Sequence, residues 1–151
     1  MLPDDLLIVT RVARPGMLVR DVFRECLSAR VQSLPFRDEA GHIAGRVTLK
    51  YIANRSIVPE YVVQLARVVG DRLATFEDME RRLPEVFGHP VEDYVQEPHA
   101  SIPSNTQLMK ALAIMEHYDT SYLFVIDEGV YRATITIQGI AAWMARFDRG
   151  D

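Results

Sequence analysis

Two threonines, Thr48 and Thr136, each stand where an alternating apolar stretch gives way to a helical pattern. At such a turn the free backbone N–H groups and the positive helix end face the same place as the hydroxyl, which suits an anion. Arg14, Arg46 and Lys50 lie in the same part of the chain as Thr48 and are suited to phosphate contacts. The plain alternative is that both threonines cap their helices and the arginines are solvated. Catalytic chemistry has less to draw on. His42 falls in an expected hairpin turn, His89 and His99 each neighbour a proline, and His117 follows Glu116 near an expected helix end. Adjacent helix positions point in different directions, so Glu116 and His117 are not a ligand pair, and no HExxH spacing occurs. The single cysteine, Cys26, sits on the apolar stripe of a helix, where a buried inert thiol is expected rather than a nucleophile. No Gly-rich phosphate loop of the GxxxxGK or GxGxxG type is present. No catalytic residue and no metal site is expected, and the chain reads as a non-enzyme.

The elements that position these residues must fit in 151 residues, 48% of them apolar and 25% charged. That is one domain or two small ones with a buried core, and the balance does not fit disorder. One cysteine fits a reducing compartment. The N-terminus lacks a basic, long apolar signal, and the longest uncharged run is shorter than the ~18 residues of a membrane span. A cytoplasmic protein with no membrane partner is expected. Residues 1–55 carry nine bases against six acids and residues 56–151 eight against fifteen, so +3 and −7 sum to the net −4. Of the 17 bases all but Lys50 and Lys110 are arginine. A nucleic-acid reader would be basic overall with a clustered stripe, which this chain is not.

The chain repeats itself. Residues 31–36 are an apolar stretch, followed by Asp38, Glu39 and Gly41, an alternating stretch at 43–48, and Ile52. Residues 121–126, Asp127, Glu128, Gly129, residues 131–136 and Ile140 follow the same order. The offsets 129−41, 136−48 and 140−52 all equal 88. Each copy reads as a hairpin closed by an acidic/Gly turn. Upstream of each lies a helical stripe, Val19, Val22, Phe23 and Cys26 in the first copy and Leu108, Ala111, Leu112 and Met115 in the second. Ser104 with Gln107 would cap the second as a capping box. A short β-prone stretch precedes each helix, residues 6–10 in the first copy and 100–102 in the second. Each unit is therefore strand, helix, strand, strand, helix. A helical spacer is expected between them, with one helix from Pro59 to Gly70 and another capped by Thr75 that Pro84 kinks or ends. Units are expected at 1–55 and 91–151, with the spacer at 56–90.

Ser33-Leu34-Pro35-Phe36-Arg37-Asp38-Glu39-Ala40-Gly41 running into Ile43-Ala44-Gly45-Arg46-Val47-Thr48 resembles the hairpin of a CBS domain, and the two copies in register resemble a CBS-domain pair, or Bateman module. The second copy is looser, with Leu123 for the usual Pro and Ala133 for the usual Gly. The resemblance covers about residues 6–54 and 91–147 and implies an α/β fold of tandem βαββα units packed about a pseudo-twofold axis. It implies a stand-alone regulatory module whose clefts receive AMP, ADP, ATP or S-adenosylmethionine as ligand, with no cofactor required. It also implies a homodimer acting on an unknown regulated protein. Ile140, Ala141, Trp143 and Met144, the stripe of the last helix, are core or part of that dimer face.

On this resemblance the ligand-binding residues are Thr48, Thr136, Arg14, Arg46, Lys50, Leu34, Tyr51, Tyr122 and Arg132. The family places an Asp three residues after the Ser or Thr that ends the third strand, where it grips the ribose hydroxyls. Here Tyr51 and Gly139 stand at those positions. A carboxylate accepts from both hydroxyls, and its loss removes about 1.5–3 kcal/mol per contact, or ten- to hundredfold in affinity. The readings from this sequence are therefore an adenosine-nucleotide sensor, a degenerate pair serving as a ligand-free dimerisation scaffold, and a small enzyme with no supporting constellation.

Overall fold

The computed structural model describes residues 1–57 and 76–150. The helix expected from Pro59 to Gly70 and the cap expected at Thr75 lie outside the described residues. In the first copy α1 (Val19–Ala29) buries the stripe Val19, Val22 and Cys26, and the Asp21 carboxylate accepts the Leu18 N–H at 2.9 Å. That places negative charge at the positive end of the helix. β1 (Ser33–Arg37) and β2 (Ile43–Thr48) form an antiparallel hairpin with Ser33 opposite Thr48, and α2 (Leu49–Ile57) follows. In the second copy β3 (Ser101–Ile102) leads to α4 (Leu108–His117), then to the hairpin of β4 (Tyr122–Asp127) and β5 (Val130–Thr136), and to α5 (Ile137–Ala145). Between the copies runs α3 (Phe76–Phe87). The hairpin turns rest on Gly41 and Gly129 at φ +89° and +80°, a region that costs other residues strain.

The repeat is visible in the hydrogen bonding. Ile102 pairs in parallel with Val125 and Ala13 with Phe36, and 102−13 and 125−36 both equal 89. The first copy therefore has its counterpart of β3 at Ala13, as a single bridge, and not at residues 6–10. Residues 6–10 belong elsewhere: Ile8 exchanges N–H···O bonds of 2.9 and 2.8 Å with Thr134 on β5 of the other copy. Reciprocally, Gln96 and Arg46 exchange bonds of 2.8 and 3.0 Å, so the lead-in to the second copy pairs with β2 of the first. Both crossings obey the repeat, since 96−8 and 134−46 equal 88. A β-prone stretch declares that it will pair, not with which strand, and this is why the local pattern misassigned it.

The cores follow the crossings. Leu34, Phe36, Val47 and Ile52 pack with Val19, Val22 and Cys26 in a first core that is completed by Val86 of α3 and by Val91 and Tyr94. Leu123, Val125, Ala133, Ile135 and Ile140 pack with Ile102, Ala111 and Met115 in a second core completed by Leu2 and Leu6. Each core thus borrows apolar side chains from the segment leading into the other copy, each full burial contributing about 1.5–3 kcal/mol. The expected class, α/β with tandem βαββα units, holds in this crossed form.

Two local expectations are corrected. Ser104 does not cap α4, whose N-cap is Gln107 without a side-chain bond. Instead Ser104 gives its N–H and hydroxyl to the two oxygens of Asp127, at 2.9 and 2.6 Å. A carboxylate accepting two bonds outcompetes a helix end, and both bonds hold the Asp127 acid below its usual range. Of the two outcomes expected at Pro84, a kink or an end, the end does not occur, because α3 runs on to Phe87. The lost backbone bond is offset by packing, because Val86 is buried and the Phe87 ring meets Phe23 of α1 edge-on at 4.9 Å.

Cys26 is fully buried, and burial, with Glu25 adding to it, pushes its thiol up to about 12. A thiolate is the reactive form. The native protein is expected to leave a thiol reagent such as Ellman's unconsumed at pH 8, with one equivalent reacting once denaturant opens the fold; reaction of the native protein at the rate of the unfolded chain would contradict this.

Candidate functional site

The crossing of Gln96 over β2 builds a cleft. Arg46, Thr48, Lys50, Tyr51 and Asn54 of the first copy face Asp119, Thr120, Ser121 and Tyr122 of the second, with Gln32, Gln96 and His99 completing a space of about 560 Å³. Close approach is a condition of this geometry. A Cβ on Gly45 would overlap the Gln96 carbonyl oxygen and lie 2.8 Å from Val95 Cγ1, so only glycine admits the crossing strand here.

Side-chain bonds join the copies inside the cleft. Arg46 donates to the Tyr122 hydroxyl at 2.6 Å and also to the Glu97 carbonyl at 3.3 Å. Gln32 Nε2 donates to Ser121 Oγ at 2.7 Å, and these residues stand at matching places, just ahead of β1 and β4. Thr48 Oγ1 accepts the Tyr51 N–H at 3.1 Å and donates to Gln96 Oε1 at 3.2 Å. Thr136 Oγ1 accepts the Gly139 N–H at 3.0 Å. Both threonines therefore cap their helices, and each hydroxyl satisfies one of the N–H groups that the sequence left free for a ligand.

The structure brings together Arg46, Thr48, Lys50, Tyr51 and Tyr122 from the residues named in advance. The other four lie elsewhere. Leu34 is wholly buried in the first core, and Thr136 stands at the start of α5. Arg14 borders an open depression beside the first hairpin turn, with Arg37, Asp38 and Glu39. Arg132 is exposed and pairs with Asp127 at 3.6 Å. Sequence reasoning missed Gln32, Asn54, Gln96, His99, Asp119, Thr120 and Ser121 as lining residues. Only Gln32 and Ser121, flanking the repeated strands, carried a signal, namely their matching places in the two copies.

The 88-residue offset carries Arg46 to Thr134, Lys50 to Gln138, Asn54 to Ala142 and Gln96 to Ile8, so the repeat-related position has neither cation. Thr134 there is wholly buried, and its hydroxyl meets Tyr131 at 2.7 Å, which meets Thr10 at 2.9 Å. The cleft at Arg46 is thus chemically distinct from its counterpart. Arg46 and Lys50 against Asp119 leave it one positive charge in a chain of net −4.

His99 also borders a second, more apolar cavity of about 280 Å³ lined by Ile43, Phe124 and Ile126. Its ring centroid lies 6.1 Å from those of Tyr118 and Tyr122, and its Nε2 is buried without a hydrogen-bond partner among the described residues. Burial first, and the Arg46 guanidinium second, hold its pKa below the usual 6.5. The unfolded chain binds this proton near pH 6.5 while the folded chain does not, so stability is fully present above that pH and falls as pH drops below it. His99→Phe is expected to flatten the decline in melting temperature between pH 7 and pH 5; an unchanged slope would contradict the assignment.

This fold has known counterparts. The CBS domain family model matches residues 91–146. The CBS domain of a membrane protein from Sphaerobacter thermophilus superposes with TM-score 0.65 at 15% identity, covering 92% of this chain and 84% of that one. The chain folds as a CBS-domain pair. CBSX2, a CBS-pair protein from Arabidopsis thaliana solved in complex with AMP, matches with TM-score 0.62 and 18% identity over 96% of this chain and 97% of its own. The CbpB protein of Listeria monocytogenes, solved with c-di-AMP, matches with TM-score 0.55 and 12% identity over 91% and 88%. No curated protein is significantly similar to this CBS pair. Among its described residues no helix is long and apolar enough to cross a membrane.

Proposed function

We propose that this CBS pair binds an adenosine-type nucleotide in the cleft at Arg46 and relays the binding to a regulated protein. The observation that carries the reading is the gathering of Arg46, Lys50 and Thr48 with Tyr122 of the other copy in one cleft, cationic within an acidic protein. Arg46 and Lys50 hold the phosphate, Tyr51 and Tyr122 flank it, and the apolar cavity beyond His99 takes the base. AMP, ADP, ATP and the cyclic dinucleotide c-di-AMP are the phosphate-bearing candidates, and S-adenosylmethionine would offer its carboxylate in the phosphate's place. Arg46–Tyr122 and Gln32–Ser121 tie the copies together within the cleft, so a phosphate that takes Arg46 from Tyr122 changes how the copies are held. Such a ligand shifts the arrangement only by its differential affinity for the two states. The relay runs through a homodimer, in which Ile137, Met144 and Phe147, large apolar side chains left exposed on and after α5, are covered by a second copy.

A second reading has a specific observation in its favour. Thr48 and Thr136 are spent as caps, and Tyr51 and Gly139 stand where the ribose carboxylate belongs. That suits a pair which dimerises without a ligand. Thermal unfolding with the candidate nucleotides separates the two. A ligand at a hundred times its dissociation constant adds about 2.7 kcal/mol, at about 2–4 °C per kcal/mol for a protein of this size. The sensor reading expects such a shift with at least one nucleotide, and no shift with any of them at millimolar concentration leaves the scaffold.

A further inference from the structure

The cleft that lacks a carboxylate at Tyr51 has one from elsewhere. Asp119, in the turn between α4 and β4, is the one acid among the described residues lining it. Among the described residues no hydrogen bond or ion pair engages that carboxylate. The turn is held to the first copy by Gln32–Ser121 and Arg46–Tyr122, which bring Asp119 into the same space as Thr48 and Lys50.

Its backbone does not ask for an acid. Asp119 has φ +49°, and the helix end is closed by bonds from Asp119 N to Glu116 O and from Thr120 N to Met115 O, at 3.2 and 2.9 Å. Glycine serves this conformation without strain. The first copy meets the same need with Arg30 at φ +59°, 89 positions earlier, so the fold fixes the conformation and leaves the side chain free. That side chain, acceptor-only when ionised, lines the same cleft as two cations. A cationic group is repelled by Arg46 and Lys50, whereas two adjacent hydroxyls each donate one charge-assisted bond to the two oxygens.

We infer that Asp119 accepts the vicinal hydroxyls of a ribosyl phosphate whose phosphate lies at Arg46 and Lys50, supplying from the second copy the carboxylate missing at Tyr51. This rests on the nucleotide reading of the cleft. Calorimetric titration with AMP, 2′-deoxy-AMP and 3′-deoxy-AMP tests it, on the unaltered protein and on Asp119→Asn and Asp119→Gly. Loss of either hydroxyl is expected to weaken binding to the unaltered protein about tenfold or more. In Asp119→Asn, whose side chain tolerates the left-handed conformation, AMP falls to the affinity of the deoxy analogues and the discrimination disappears. Asp119→Gly relieves the backbone, so its melting temperature is unchanged or raised while AMP binding weakens; a structural role would move both together. If the unaltered protein binds all three nucleotides equally, or the variants bind AMP as it does, the inference is overturned and the cleft reading stands. If no nucleotide binds the unaltered protein, the cleft reading falls and takes this inference with it.

Discussion

Gly45→Ala is expected to destabilise the protein by about 1–3 kcal/mol, the cost of forcing a methyl group into a closed contact. The added carbon has nowhere to go, because the obstacle is the Gln96 carbonyl, fixed by its own bond from Arg46 N at 3.0 Å, with Val95 Cγ1 beside it. The repeat provides the control. Ala133 occupies the matching place on β5, next to the repeat-related crossing of Ile8 over Thr134, and is buried there, so alanine is compatible with that crossing and fails at 45 through the close approach of Gln96 and Val95. The substitution also displaces Gln96 from Thr48 and loosens the cleft wall, so nucleotide affinity falls with stability. Chemical denaturation measures the first effect. A loss below about 0.5 kcal/mol, the range of an inert surface change, would show that the crossing gives way at no cost.

The second large effect is expected at Arg46. Arg46→Met keeps the aliphatic bulk and the backbone pairing with Gln96 while removing the guanidinium. A charge-assisted contact is worth about 1.5–3 kcal/mol, so AMP affinity is expected to fall ten- to hundredfold, with a loss of stability beside it because the bond to buried Tyr122 goes too. Tyr122 loses its 2.6 Å partner in the same step. A second readout needs no ligand. Arg46 is one of the two causes that hold the His99 pKa down, so removing it should move that pKa up toward 6.5, as followed by NMR titration of the imidazole. An AMP affinity equal to that of the unaltered protein would remove Arg46 from the phosphate site, and a stationary His99 would show that burial alone sets its pKa.

These two residues also mark where sequence reasoning ended. Arg46 is legible from its charge and from its place, with Arg14 and Lys50, in the basic part of the chain that holds Thr48. Its partners Tyr122 and Glu97, which fix where the guanidinium stands, were not legible, because they lie 76 and 51 residues away. Gly45 was legible as part of a hairpin pattern. That it must be glycine follows only from the strand that crosses it.

Elements defined by contiguous residues were determined by the sequence alone. The stripes of α1 and α4, the two hairpins with their acidic/Gly turns, and the 88-residue repeat all follow from periodicities of 3.6 and 2 and from turn chemistry within a few residues. The tertiary structure decided everything that depends on partners far along the chain. It sent residues 6–10 to β5 of the other copy, gave Ser104 to Asp127, carried α3 past Pro84 onto Phe23, and left a cationic cleft at Arg46 but a buried hydroxyl chain at Thr134. The physical reason is the same in each case. A strand edge, a hydroxyl or a helix end advertises a need that several partners satisfy equally well locally, and the choice is made by whichever close packing the two cores permit.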